Sequence, residues 1–176
     1  SSDVCSSDLK MVFRVAGPVI GAGGGPIGNY GLFISSQNQT NSVANTANLV
    51  ALDAGSVRAS GITNSAGTLT FANAGFYQIV VELSFTSTTG TNPTISTWLQ
   101  QNGTNIANTA QDFQLLGGAN TFQIGICNWI IQAAANDTFA TYWSCSNTNV
   151  SLAYQGTLTS PVRPASPSAI IVISQV

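Results

Sequence analysis

The sequence predicts an all-β domain built as an antiparallel sandwich of two sheets, and three observations predict it. From Tyr30 to Val176 nearly every stretch is a short run of Val, Ile, Thr, Phe or Tyr bounded by Gly, Asn or Pro, spaced as the strands of a sandwich are. Nowhere in that span do apolar residues recur at the spacing of an amphipathic helix. The composition agrees: 44% of the 176 residues are hydrophobic, ample for a core, while only 6% are charged, so Thr, Ser, Asn and Gln fill surface positions that Lys and Glu usually hold.

Residues 1–9, SSDVCSSDL, back-translate to a widely used short-read library adapter and are expected to be an assembly artefact outside the fold. On that reading Met11 is internal and the natural chain extends further upstream. Residues 10–28 follow as a Gly/Pro-rich lead or stalk remnant, since VFRVAGPVIGAGGGPIG can sustain neither a helix nor a central strand. Its glycines (Gly21, Gly23, Gly24, Gly25) do not make a phosphate-cradling loop, because no Lys stands at the required offset and no helix follows.

The domain proper is expected over residues 29–176. Strands are predicted at Tyr30–Ser36, Asn48–Leu52, Val57–Ile62, Thr68–Phe71, Phe76–Thr86 and Thr94–Gln101, then at Ile106–Leu116, Thr121–Gln132, Thr138–Ser146, Ser151–Thr159 and Ala169–Gln175. Asn102-Gly103 suits a tight hairpin, and Asn73-Ala74-Gly75, Thr89-Gly90 and Gly117-Gly118 break the other runs. Ala133 to Asn136 could form one helical turn at most.

Periodicity sorts these strands into two kinds. Thr94–Gln101 and Ser151–Thr159 alternate with Thr, Ser and Gln, as strands with one face in water should. Along Phe76–Phe85, by contrast, Tyr77, Ile79, Val81, Leu83 and Phe85 form a core face, while the opposite face still carries Phe76, Val80 and the lone Glu82. Phe122–Ile131 and Ile170–Ile173 are likewise apolar on both sides. A sheet apolar on its outer side needs a cover, supplied either by neighbouring subunits or by a further domain. Under the first alternative Phe76, Val80 and Glu82 are the candidate interface residues, and Glu82 needs a cation, Arg58 or Arg14, to be buried at tolerable cost.

Function classes are narrowed by what is scarce. There is no histidine, one glutamate, one lysine (Lys10) and three arginines; the carboxylates Asp53, Glu82, Asp112 and Asp137 are scattered. Acid–base catalysis and metal or cofactor binding therefore lack their usual residues, and an enzyme is not expected. No basic stripe exists to hold nucleic acid, and the apolar run at Ile170–Ile173 is far short of the roughly 18–20 residues that span a bilayer. Cys127 and Cys145 fit no zinc pattern and read either as buried hydrophobes or as one bridge between the sheets. The sequons at Asn38, Asn102, Asn136 and Asn149 are expected by chance in so Asn- and Thr-rich a chain. Tyr142 and Tyr154 are candidates for stacking on sugars, with sheet packing as the alternative.

In order along the chain, YGLF (Tyr30–Phe33), FANAGFYQI (Phe71–Ile79), TWLQQNGTNI (Thr97–Ile106), TNVSLAYQG (Thr148–Gly156) and SPVRPASPSAIIVISQV (Ser160–Val176) resemble the C1q/TNF-like jelly-roll domains of phage and large-virus structural proteins. The resemblance spans about residues 29–176, with a core signature of Gly75, Tyr77, Ile79, Trp98, Pro167 and Ile170. It implies a jelly roll of about ten strands whose doubly apolar sheet faces the axis of a homotrimer. It also implies a non-enzymatic structural or attachment head, a tail-fibre tip or capsid decoration on the virion surface, binding a host surface glycan or protein. A secreted or surface C1q-like binding module of bacteria is the alternative. Some relatives hold calcium through grouped carboxylates, but Asp53, Asp112 and Asp137 stand apart, so neither a metal nor any other cofactor is expected.

Overall fold

A computed structural model describes residues 28–176; the adapter-like segment and nearly all of the Gly/Pro lead lie outside the described residues. The fold is an all-β antiparallel jelly roll with no helix among the described residues. Sixteen strand segments run in the order β1 (Tyr30–Ser35), β2 (Gln39–Thr40), β3 (Asn48–Leu49), β4 (Arg58–Ser60), β5 (Ile62–Ser65), β6 (Thr68–Phe71), β7 (Gly75–Ser87) and β8 (Thr94–Gln101). They continue with β9 (Thr104–Asn105), β10 (Gln111–Gln114), β11 (Phe122–Ala133), β12 (Thr138–Cys145), β13 (Val150–Leu152), β14 (Leu158–Thr159), β15 (Val162–Arg163) and β16 (Ala169–Gln175).

Two seven-stranded sheets face each other. Sheet I places β4, β1, β16 and β7 side by side, with β11 on the far side of β7 and β13 and β2 continuing along its near edge. Sheet II runs β10-β8-β12-β6-β5, with β3 paired to β12 and β9 to β8. The thirteen residues of β7 are the spine of sheet I, because β11 pairs with them from Gly75 to Thr86.

The core lies between the sheets and follows from period-two alternation. Tyr77, Ile79, Val81, Leu83 and Phe85 of β7 are all at most 1% exposed, and they meet Ile95 and Leu99 of β8 and Phe139 and Trp143 of β12. Aromatic rings lock this layer edge to face: Phe71 with Tyr77 at 4.5 Å, Phe71 with Phe139 at 4.9 Å and Phe85 with Trp143 at 5.6 Å. The tyrosine's polar end is satisfied at the rim, where its hydroxyl donates to the Asn73 carbonyl and accepts from Asn29 Nδ2, both at 2.8 Å.

Several strands depart from their predicted bounds for local reasons. The run Val57–Ile62 splits at Gly61, whose φ of +68° turns the chain from β4 in sheet I to β5 in sheet II. The run Ile106–Leu116 shrinks to β10, because Asn108 sits at φ 63° and the Thr109 hydroxyl closes a turn on the Ile106 carbonyl at 2.8 Å. Ser151–Thr159 is no solvent-facing strand: only Val150–Leu152 joins a main sheet, pairing with β7 and β2 in sheet I. One edge of β7 is shared there, β13 taking Phe85 to Ser87 and β16 taking Tyr77 to Leu83, so the chain between them is pushed outward. That excursion closes as the hairpin β14–β15 above a bridge between Gln155 and Ser166. The two-residue segments β2, β9, β14 and β15 exist only as partners of something else and have no pattern of their own.

Three residues of the core signature lie outside the core. In β8 the inward parity belongs to Ile95, Thr97 and Leu99, so Trp98 stands half-buried on the outer face of sheet II, stacked at 6.0 Å on Tyr142 with its indole N–H donated to Asn105. Ile170 takes the outward parity of β16, opposite Glu82, and Pro167 is half-buried just before it. Gly75 opens β7, where a Cβ would meet only the flexible end of the Gln175 side chain. Cys127 and Cys145 are both buried free thiols, one in each sheet, not a bridge.

Candidate functional site

The outer face of sheet I is where this chain departs most from an ordinary soluble surface. Nothing among the described residues packs on the outer side of β11, so its outward residues form an uncovered row: Phe122, Ile124, Ile126 and Ile130 are 53–69% exposed. Phe76 of β7 adds 53% and Val172 of β16 adds 42%. Register carries the apolar surface across the sheet. Leu32, Val172 and Val80 lie in one row across β1, β16 and β7, and Ile34, Ile170, Glu82 and Ile126 in the next, which continues onto β11.

Within this face Val80 and Glu82 are half-buried and Phe76 is exposed. Glu82 is flanked by Ile170 on one side and Ile126 on the other. Of its two sequence-nominated cations, Arg14 lies outside the described residues. Arg58 is exposed on the same face but three strands away, opposite Leu32 and hence in the row of Val80. At about 4.8 Å per strand that is roughly 14 Å, too far for the two side chains to meet within one chain.

Two of the depressions that border the face lie toward β11. A groove of about 620 Å³ runs along the unpaired edge of β11, between it and the turn at Ile106–Thr109, with the Trp129 indole nitrogen donating to the Thr109 carbonyl at 3.0 Å beneath it. A smaller recess of about 80 Å³ is lined by Glu82, Ser84, Ile124, Ser166, Pro167 and Ile170. Ile170 thus lies within the apolar face, as the doubly apolar run Ile170–Ile173 implies, and Pro167 sits at its border.

The carboxylates and thiols of the described residues stand apart from one another. Asp53 is used by the backbone, accepting Ser36 N–H at 3.0 and 3.1 Å. Asp137 accepts Asn102 Nδ2 at 2.8 Å, the Ala134 N–H at 2.8 Å and Gln101 Nε2 at 2.7 Å, and these bonds, Asn102 first, hold its pKa below the usual carboxylate value. Asp112 lies on β10, at the edge of sheet II. Among the described residues no three of His, Cys, Asp and Glu are grouped to hold a metal ion. Burial pushes the Cys127 thiol up to about 11 against a smaller pull from the buried Thr97 hydroxyl, which has no oxygen or nitrogen partner. Burial also raises Cys145, so neither supplies a thiolate near neutral pH. Tyr142 is committed to Trp98, and Tyr154 is half-buried with its backbone N–H donated to Asn38 Oδ1 at 2.8 Å.

No family model matches the chain, and no curated protein sequence does. Solved structures do. The crystal structure of murine APRIL at pH 5.0 superposes with a TM-score of 0.56 at 8% identity, covering 84% of this chain and 98% of that one. The structures of murine APRIL at pH 8.5 and pH 8.0 give TM-scores of 0.54 and 0.51 at 10% and 11% identity, each covering 83% of this chain and 98% of the other. At such identity the likeness is one of fold, and that fold is TNF/C1q-like.

Proposed function

We propose that the domain is a non-enzymatic binding head that works as a homotrimer, its subunits joined through the outer face of sheet I. The observation that carries this reading is the uncovered row Phe122, Ile124, Ile126 and Ile130 on β11, continuous with Phe76 and Val172. Burying six such side chains contributes on the order of 10 kcal/mol, comparable with the cost of immobilising two partners. Left in water, so large a patch would drive aggregation. The TNF/C1q-like fold supports the same arrangement.

The location on a virion, as a tail-fibre tip or capsid decoration, rests on the sequence resemblance to phage and large-virus structural proteins. The ligand class, a host surface glycan or protein, is supported by the neutral loop surface: Asn, Thr, Ser and Gln offer directional hydrogen bonds to hydroxyls and peptide groups without long-range charge. Sedimentation equilibrium at micromolar concentration tests the assembly. The wild type should be a trimer, and Val80→Asp, which puts a charge on the half-buried centre of the face, should be a folded monomer. A wild type that stays monomeric overturns the trimeric reading, and a stable Val80→Asp trimer shows that another surface is used.

A further inference from the structure

The outer face of sheet I carries one anion and one cation among the described residues. Its β7 positions are Phe76, Gln78, Val80, Glu82, Ser84 and Thr86; β11 and β16 contribute only neutral side chains, and β4, at the opposite edge, contributes Arg58. The two charges cannot meet within a chain. A closed ring, however, is built from heterologous contacts, in which one end of the sheet in one copy docks against the other end in the next. Arg58 stands at one end and Glu82 beside the other, so the separation that forbids pairing within a subunit suits pairing between subunits.

The receiving site has the right chemistry. In the recess at Glu82, Ile124, Pro167 and Ile170 supply apolar walls for an alkyl stem, while the Glu82 carboxylate and the Ser84 hydroxyl can accept guanidinium N–H groups. The other described cation, Arg163, is engaged, donating from Nη2 to Gln155 Oε1 at 2.8 Å and from Nη1 to the Pro164 carbonyl at 3.0 Å.

We propose that Arg58 of one copy enters the Glu82 recess of the next and that this ion pair sets the register and direction of the ring. The proposal rests on the trimeric reading and adds to it a named contact. Apolar surface supplies most of the association but is indifferent to orientation, whereas an unmatched Glu82 buried against Ile126 and Ile170 is costly, so only the ring that brings in an arginine is tolerated.

The test is a charge-swap cycle on the full chain, read by sedimentation equilibrium, with circular dichroism confirming the fold of each variant. Both side chains are accessible in the single chain, so folding should survive. Glu82→Arg and Arg58→Glu should each raise the trimer dissociation constant about tenfold or more, and the double variant should return to within about threefold of the wild type. Simple additivity in the double variant overturns the pairing while leaving the trimer standing. An unchanged Arg58→Glu with a weakened Arg14→Glu assigns the recess to Arg14 and overturns it too. A wild type monomeric throughout removes the trimer and the pairing together.

Discussion

Asn41 is a polar side chain with no exposed surface. Fully buried, its amide donates to the carbonyls of Cys145 at 3.1 Å and Asn147 at 2.9 Å and accepts from Asn48 Nδ2 at 2.8 Å, tying the β2–β3 segment to the end of β12. Asn41→Leu leaves the Asn147 carbonyl without its donor, while the Cys145 carbonyl keeps the Asn45 N–H and Asn48 Nδ2 keeps the Thr46 carbonyl, so stability should fall by about 2 kcal/mol with an unchanged denaturant slope in urea unfolding. A loss under about 1 kcal/mol would mean that water replaces the amide. Nothing in the sequence singled out Asn41, because the chain is full of asparagines and its acceptor lies 104 residues away. Glu82 was legible for the opposite reason: a lone carboxylate on a strand apolar on both faces is conspicuous without any knowledge of partners.

Strands that make their own pattern were legible, and strands that borrow one were not. The bounds of β6, β8 and β16 agree with those read from alternation and turn residues, and Asn102 and Gly103, at φ 51° and 77°, form the two-residue loop of a tight hairpin. β2, β14 and β15 are two-residue pairings set by the geometry of their neighbours. The middle of β11 shows how an element hides its packing logic. Gly125 faces inward, and a Cβ there would come within 2.5 Å of the Phe113 ring, which itself stands edge-on to Phe85 at 5.5 Å. Strand preference alone makes Gly125→Ala stabilising by about 0.5–1 kcal/mol, whereas displacing Phe113 costs about 1–3 kcal/mol, so the net effect should be destabilising. Thermal unfolding decides the sign, and Phe113→Ala in the same chain should remove most of the penalty if the ring is its cause.

At the scale of the whole molecule, one sheet is apolar outside and the other polar, and this asymmetry links fold to proposed action. Around the stacked pair Trp98 and Tyr142, sheet II presents Thr, Ser and Gln to water, and the described loops carry few charges, so attraction to a ligand should be short-ranged and each site weak. Three weak sites on one rigid trimer gain from effective concentration, which can raise avidity by about 10²–10⁴ over a single site without any new contact. Binding of the labelled domain to host-cell envelopes should therefore change less than about threefold between low and physiological salt, since no phosphate-like charge pattern is being matched. Val80→Asp, confirmed folded and monomeric, should lose most of that binding while its individual loops remain intact. A monomer that binds cells as tightly as the trimer would place the affinity in one site, and a salt loss of tenfold or more would place it in charge; either result would overturn the neutral, multivalent head.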